Sequence, residues 1–197
     1  MSESDPSRRV GPQAPGARVR RTERALHEAL GSLIRQRPYE RIVVQQILAQ
    51  ARVARSTFYA HFLDKDDLLL RGLEELLRDA ERIARSHPER AQRILGFGRV
   101  LYEHILTHRQ GAPSGHAKEQ KALHRKLEGL LAARIGSRLS REVAGGWQPP
   151  VPVDLLASHV AASFMRCLDH AMAGPATPSA SDADRAFRAL VAPLLGS

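Results

Sequence analysis

The sequence predicts an all-α protein: an amino-terminal head of three short helices followed by a carboxy-terminal helical bundle, about nine helices in total. Apolar residues recur at three- and four-residue spacing along most of the chain. No stretch alternates at period two between turn signals, as a half-buried strand would. Pro- and Gly-rich breaks cut the chain into pieces of helix length. With 197 residues, 43% hydrophobic and 26% charged, the chain can bury a proper core as one domain or two small ones.

Residues 1–17, with three prolines and two glycines, read as a disordered basic arm. From Arg18 the pattern turns helical: Leu26, Ala29, Leu30 and Leu33 fall at i, i+3, i+4 and i+7, and Arg37-Pro38 stops the run. Short helices follow at about Val43–Gln50 and Arg55–Phe62. A fourth starts near Lys65, with Asp64 as N-cap and Asp66 and Asp67 complementing the helix dipole. Its stripe of Leu69, Leu73, Leu76, Ala80 and Ile83 lasts until His87-Pro88. Further amphipathic segments occupy Glu89–Arg109, about His116–Val143, Val153–Ala173 and Asp182–Leu195, separated by breaks at 111–115, 145–152 and 174–181. The expected organisation is an arm (1–17), a head (18–64) and a bundle (65–197).

The single cysteine, Cys167, excludes an intrachain disulfide framework and a Cys-rich zinc site, so the expected compartment is a reducing cytoplasm. No apolar run approaches the roughly 18 residues of a membrane span, and the amino terminus lacks the apolar region of a secretory signal. The formal charge of +9 is uneven. Residues 1–65 hold 12 Lys+Arg and 6 Asp+Glu, so two thirds of the excess sits in the first third of the chain. Such a field attracts polyanions, and nucleic acid is the first partner to test.

Residues 43–65, VVQQILAQARVARSTFYAHFLDK, describe two helices of about two turns each, which cannot bury themselves alone. Crossed over the first helix they form a helix-turn-helix core, with Ile47, Leu48 and Val53 facing Phe58 and Phe62. The opposite flank of the third helix then shows Arg55, Ser56, Tyr59 and His61, with Thr57 at its edge and no acidic residue. A guanidinium offers paired donors to guanine, and small hydroxyls meet several base edges. Tyr59, His61 and Lys65 are spaced to meet phosphates. A merely solvated face is the plain alternative for any one of these residues, but a weak one for the set.

The tract Arg55-Ser-Thr-Phe-Tyr-Ala-His-Phe followed by Asp64-Lys65-Asp66-Asp67-Leu68-Leu69, about 20 residues after an amphipathic first helix, resembles the DNA-binding head of the TetR (tetracycline-repressor) family of bacterial transcriptional regulators. The likeness runs from Arg20 to Leu70; beyond it only length and helical character agree. It implies base contacts from Arg55, Ser56 and Tyr59, and phosphate contacts from Thr57, His61 and Lys65. Gln45 matches a position that reaches base or backbone. Three positions depart from the family pattern. Val43 stands where a capping Thr is usual, Arg52 where Gly or Asn is common in the turn, and Ala54 where a capping Ser or Gly is common. Losing the Thr cap is worth about 1 kcal/mol; positive φ at Arg52 would cost roughly 1 kcal/mol.

The arginines at Arg8, Arg9, Arg18, Arg20, Arg21 and Arg24 suit either a solubilising tail or an arm entering an A·T-rich minor groove. The last two helices form the expected homodimer interface, through Leu156, Val160 and Phe164 on one and Phe187, Leu190, Val191 and Leu194 on the other. Burial within one chain is the alternative. The family usually encloses an effector cavity in the body, and the candidates here are Phe97, Leu101, Tyr102, Ile105, Leu123, Leu127, Phe164 and Met165. His104, His124, His159 and Arg166 would be the polar anchors for a small organic effector. His104 and His108 lie i, i+4 but lack a third ligand, so no metal or other cofactor is expected.

The function expected is a sequence-specific, ligand-responsive repressor, acting as a homodimer on a pseudo-palindromic double-stranded DNA operator. An activator, or an architectural DNA-binding protein without an effector, is the alternative. No nucleophile elbow, P-loop, HExxH or diiron pattern points to an enzyme.

Overall fold

The computed structural model describes residues 15–108, 117–173 and 179–196. Among these the chain is helical, without strands. Helix α1 (Pro15–Gln36) leads through a 3-10 turn (Tyr39–Arg41) to α2 (Val44–Ala51) and α3 (Arg55–Tyr59). The long α4 (Lys65–Ala84) then carries the chain into α5 (Arg90–Leu95), α6 (Gly98–His108), α7 (Ala117–Ala144), α8 (Val153–Ala173) and α9 (Ala180–Leu195).

Two apolar cores organise these helices. The head core gathers Leu26, Leu30 and Leu33 of α1, Ile47 and Leu48 of α2, Phe58 of α3, and Phe62 and Leu68. The body core joins α4 to α9 around rings that fill its centre. Tyr102 stacks on Phe164 with centroids 4.3 Å apart, and Phe187 meets Phe164 edge-on at 5.5 Å. The Tyr102 hydroxyl, buried with them, donates to the Phe164 carbonyl at 3.1 Å, which removes the cost of an unpaired polar group there.

Several expectations are corrected. Helix α1 begins at Pro15, because proline preforms the first helical turn where its missing N–H is harmless; only residues 1–14 of the expected arm, with Arg8 and Arg9, fall outside the described residues. The segment 89–109 is two helices, broken at Gly96-Phe97, because a Cβ on Gly96 would stand 2.6 Å from that of Ala84. Glycine lets the end of α5 press on α4, and Phe97 turns into the core. The breaks at 111–115 and 174–178, and the side chain of His108, lie outside the described residues. The α4 stripe also drifts: Leu68, Leu73, Leu77, Ala80 and Ala84 are buried, while Ile83 is exposed. Leu68 belongs to the head core and Leu73 to the body core, so packing changes hands inside α4.

Five residues assigned to a dimer interface are core instead. Leu156, Val160, Phe164, Phe187 and Val191 are fully buried within the single chain, because α8 and α9 turn their most apolar stripe inward. The outward face keeps Leu190 and Leu194 and adds Leu155, which are 61%, 37% and 57% exposed.

Candidate nucleic-acid interface and effector cavity

Helix α3 is held by its aromatic side. Phe58 is buried, 5.6 Å from Phe62 between ring centroids, and Phe62 meets His27 of α1 edge-on at 5.9 Å. With that side fixed, Arg55, Ser56 and Tyr59 face solvent, as does Gln45 on α2. The Arg55 guanidinium lies 5.3 Å from the centre of the Tyr59 ring, which limits its freedom while leaving its donors outward. Among the described residues no side chain of Arg55, Ser56, Tyr59 or Gln45 donates a hydrogen bond. Such a flank matches the polar edge of a duplex groove in donor type.

The turn between α2 and α3 shows how the three sequence departures are absorbed. Arg52 has φ 54° and ψ 43°, the left-handed region, and caps α2 with its own N–H. Val43 contributes no side-chain cap, but Gln46 reaches back and accepts from the Val43 N–H at 3.1 Å. Ala54 leaves the first turn of α3 without a side-chain cap, so its N–H groups stay open to an outside acceptor.

Thr57 and His61 are half-buried; His61 Nδ1 lies 3.9 Å from Glu23 Oε1 on α1. Lys65 is placed differently from the phosphate ligand the resemblance implies. Its ammonium donates to the carbonyls of Tyr39, Glu40 and Ile42 at 3.0, 3.2 and 3.0 Å, and sits 4.5 Å from the Tyr39 ring centre. All three donors thus tie the start of α4 to the 3-10 turn and the residue after it. The sequence signal was Pro38 before that turn, but nothing in the spacing ties it to a lysine 27 residues on.

Asp66 joins head to body. It accepts from the Tyr39 hydroxyl at 2.5 Å and from Lys126 of α7 at 2.7 Å. Burial would raise its pKa, but these bonds outweigh burial and hold the carboxyl below its ordinary value. Burial and the Asp66 bond together push the Tyr39 phenol far up, so it stays a donor.

A cavity of about 470 Å³ opens beside this tie, between α1 and helices α4, α6, α7 and α8. Of the expected effector residues it takes His104, Ile105, Leu123, His124 and Leu127. Phe97, Leu101, Tyr102, Phe164 and Met165 are instead packed core, and Arg166 and His159 lie exposed on α8. The ring cluster has filled the volume the sequence assigned to a ligand. The wall that sequence reasoning missed belongs to the head: Glu23, His27, Leu30 and Ile34 of α1. His27 nests on Gly72 of α4, where a Cβ would come within 2.8 Å of Nδ1. Burial pulls its imidazole pKa down, against the opposing pull of Glu75 and Glu23. Among the described residues no three His, Cys, Asp or Glu are grouped to hold a metal, and no helix is long and apolar enough to cross a membrane.

A reading helix of five residues, exposed on one flank and pinned by aromatics on the other, above a helical body, has the form of a helix-turn-helix DNA-binding regulator. Residues 28–71 match the family described as bacterial regulatory proteins, tetR family. Solved structures agree over nearly the full length. The chain is 21% identical to RolR in its complex with resorcinol, covering 92% of this chain and 90% of that one, with a TM-score of 0.61. It is 20% identical to the TetR regulator TylP of Streptomyces fradiae (91% and 87% covered, TM-score 0.56) and to a TetR transcriptional regulator of Streptococcus agalactiae (89% and 96%, TM-score 0.50). At these identities the likeness carries the fold. No curated protein sequence matches the chain.

Proposed function

We propose that this protein is a ligand-responsive transcriptional repressor that binds a pseudo-palindromic operator as a homodimer. The observation that carries the reading is the exposed flank of α3, where Arg55, Ser56 and Tyr59 leave their polar groups unengaged beside uncapped N–H groups. Arg55 and Ser56 read bases; Tyr59, Thr57 and the first turn of α3 hold phosphates. Gln45 reaches the groove margin from α2.

The second copy docks on the outward face of α8 and α9. Leu155, Leu190 and Leu194 are exposed there beside Ala186, Ala189 and Pro193, a patch without charge on α9 that a four-helix interface would cover. Two α3 helices related by that axis read two half-sites.

A small, mainly apolar organic effector enters the cavity between α1 and the body. RolR, a structural neighbour, carries resorcinol, a ligand of suitable size for such a space. Because α1 forms one wall, a ligand that fits one head position better shifts the DNA-binding equilibrium by that difference in affinity.

Selection of bound duplexes from a random pool, followed by anisotropy titrations, tests the reading. A two-fold symmetric consensus bound by two chains is expected, with affinity falling about 10³–10⁵-fold between about 50 and 200 mM salt if 6–10 phosphates are neutralised. Equal binding of the consensus and a scrambled duplex, or a strictly monomeric chain on the operator, would end it.

A further inference from the structure

A second polar cleft, of about 390 Å³, lies in the body away from α3 and from the effector cavity. Glu81 and Arg85 at the end of α4, Arg93 of α5, and Arg138, Arg141 and Glu142 of α7 line it. Arg134 and Arg90 adjoin the same two carboxylates. Arg138 lies 2.9 Å from Glu81 with Arg134 at 3.8 Å, and Arg93 forks onto Glu142 at 2.7 and 2.6 Å with Arg90 at 3.6 Å. Four guanidiniums therefore share two carboxylates, with Arg85 and Arg141 beside them.

The floor of the cleft is under-compensated. Arg138 is only 5% exposed; one nitrogen donates to the Ile94 carbonyl, its plane lies 5.2 Å from the Phe97 ring centre, and its Nε has no hydrogen-bond partner. Burial pulls its pKa down, opposed by Glu81 but helped by Arg141 and Arg134. Glu142 is engaged instead by Arg93, which forks onto both its oxygens. Above the floor, the exposed Arg141 uses its Nε on the Ser137 carbonyl at 3.2 Å, and Arg85 forms no ion pair among the described residues. Crowded like charges beside a buried guanidinium are costly, and a small anion in the cleft offsets them.

We propose that this cleft binds a small oxyanion carrying at least two negative charges, of the phosphate or phosphate-ester class, between Arg138 at its floor and Arg85 and Arg141 at its rim. Guanidinium forks match phosphate oxygens in pairs. The recessed position of Arg138 selects a small ion, since the surface of a long polyanion would reach only the rim. Nothing in this site depends on the operator or on the effector cavity.

Calorimetric titration of the full chain with inorganic phosphate, at constant ionic strength set with chloride, tests it. Saturable binding of one phosphate per chain is expected, with none for acetate, a monoanion. The Arg85→Gln/Arg141→Gln variant changes only exposed side chains, so its circular dichroism should match the parent. Its phosphate affinity should fall roughly tenfold or more. Arg55→Ala, on the DNA-reading helix, should leave phosphate binding intact. The proposal is overturned by the absence of saturable binding, by equal binding of acetate, by an unchanged affinity in the double variant, or by loss of binding in Arg55→Ala.

Discussion

Among the described residues, ten buried apolar side chains make the core of the head and twenty-five make that of the body, and the two cores use their aromatics differently. In the head, Phe58 and Phe62 occupy one side of the α3 segment so that the other side stays polar and open. In the body, Tyr102, Phe164 and Phe187 converge from α6, α8 and α9, join Phe97 from the break before α6, and close the interior. A small core anchoring one short helix thus leaves a polar surface open, whereas the large core leaves its cavity at the edge, under α1.

The two cores can be separated by experiment. Phe58→Ala is expected to cost about 3–5 kcal/mol, the usual range for emptying a buried aromatic site. Hydrogen exchange should show the protection of α2 and α3 lost while α7 and α8 keep theirs; uniform loss would mean that the cores fold as one unit. Lys65→Ala comes next. Removing a charged donor from three carbonyls should cost about 1.5–3 kcal/mol in denaturant unfolding, while leaving the salt dependence of DNA binding unchanged. A shallower salt slope with unchanged stability would make Lys65 a phosphate ligand after all.

Arg55→Ala sharpens the other side of the contrast, because an open surface can lose a group without loss of packing. Its operator affinity should drop by about 1–3 kcal/mol, with scrambled DNA and thermal stability little affected. Arg52→Gly relieves the left-handed backbone and should stabilise the head by up to about 1 kcal/mol, seen as a raised unfolding midpoint. The smallest effect concerns pH. His27 has a lowered pKa in the fold, so the unfolded chain takes up its proton first. Its contribution is complete above the ordinary value of 6.5 and is lost as pH falls below it. Stability of the parent should decline on acidification through this window more than that of His27→Gln.

The head was legible in the sequence because its information is local. Phe58 and Phe62 sit four residues apart, Asp64 caps α4 by accepting from Asp67 N–H at 2.8 Å as its position suggests, and the exposed residues follow by elimination. The limits of α8 at Val153 and Ala173 were equally plain. The break at Gly96-Phe97 was not, because apolar spacing continues across it and only contact with Ala84 requires the glycine. The dimer stripe was misphased because α8 and α9 are apolar on two sides, and periodicity alone does not say which side a chain keeps for itself. The cavity needed α1 to be folded back on α6 and α7, an arrangement set by Gly72 beneath His27. The role of Lys65 escaped for a similar reason: its acceptors lie on a turn brought near only by the fold.

Helix α4 carries Leu68 into one core and Leu73 into the other without interruption, over a length of about 30 Å for its 20 residues. A rod shared in this way has no elbow at which the two parts could swivel independently. Any displacement imposed at its far end is delivered whole, and a pivot of only 10° sweeps the opposite tip through about 5 Å, more than the rise of one base pair along a duplex.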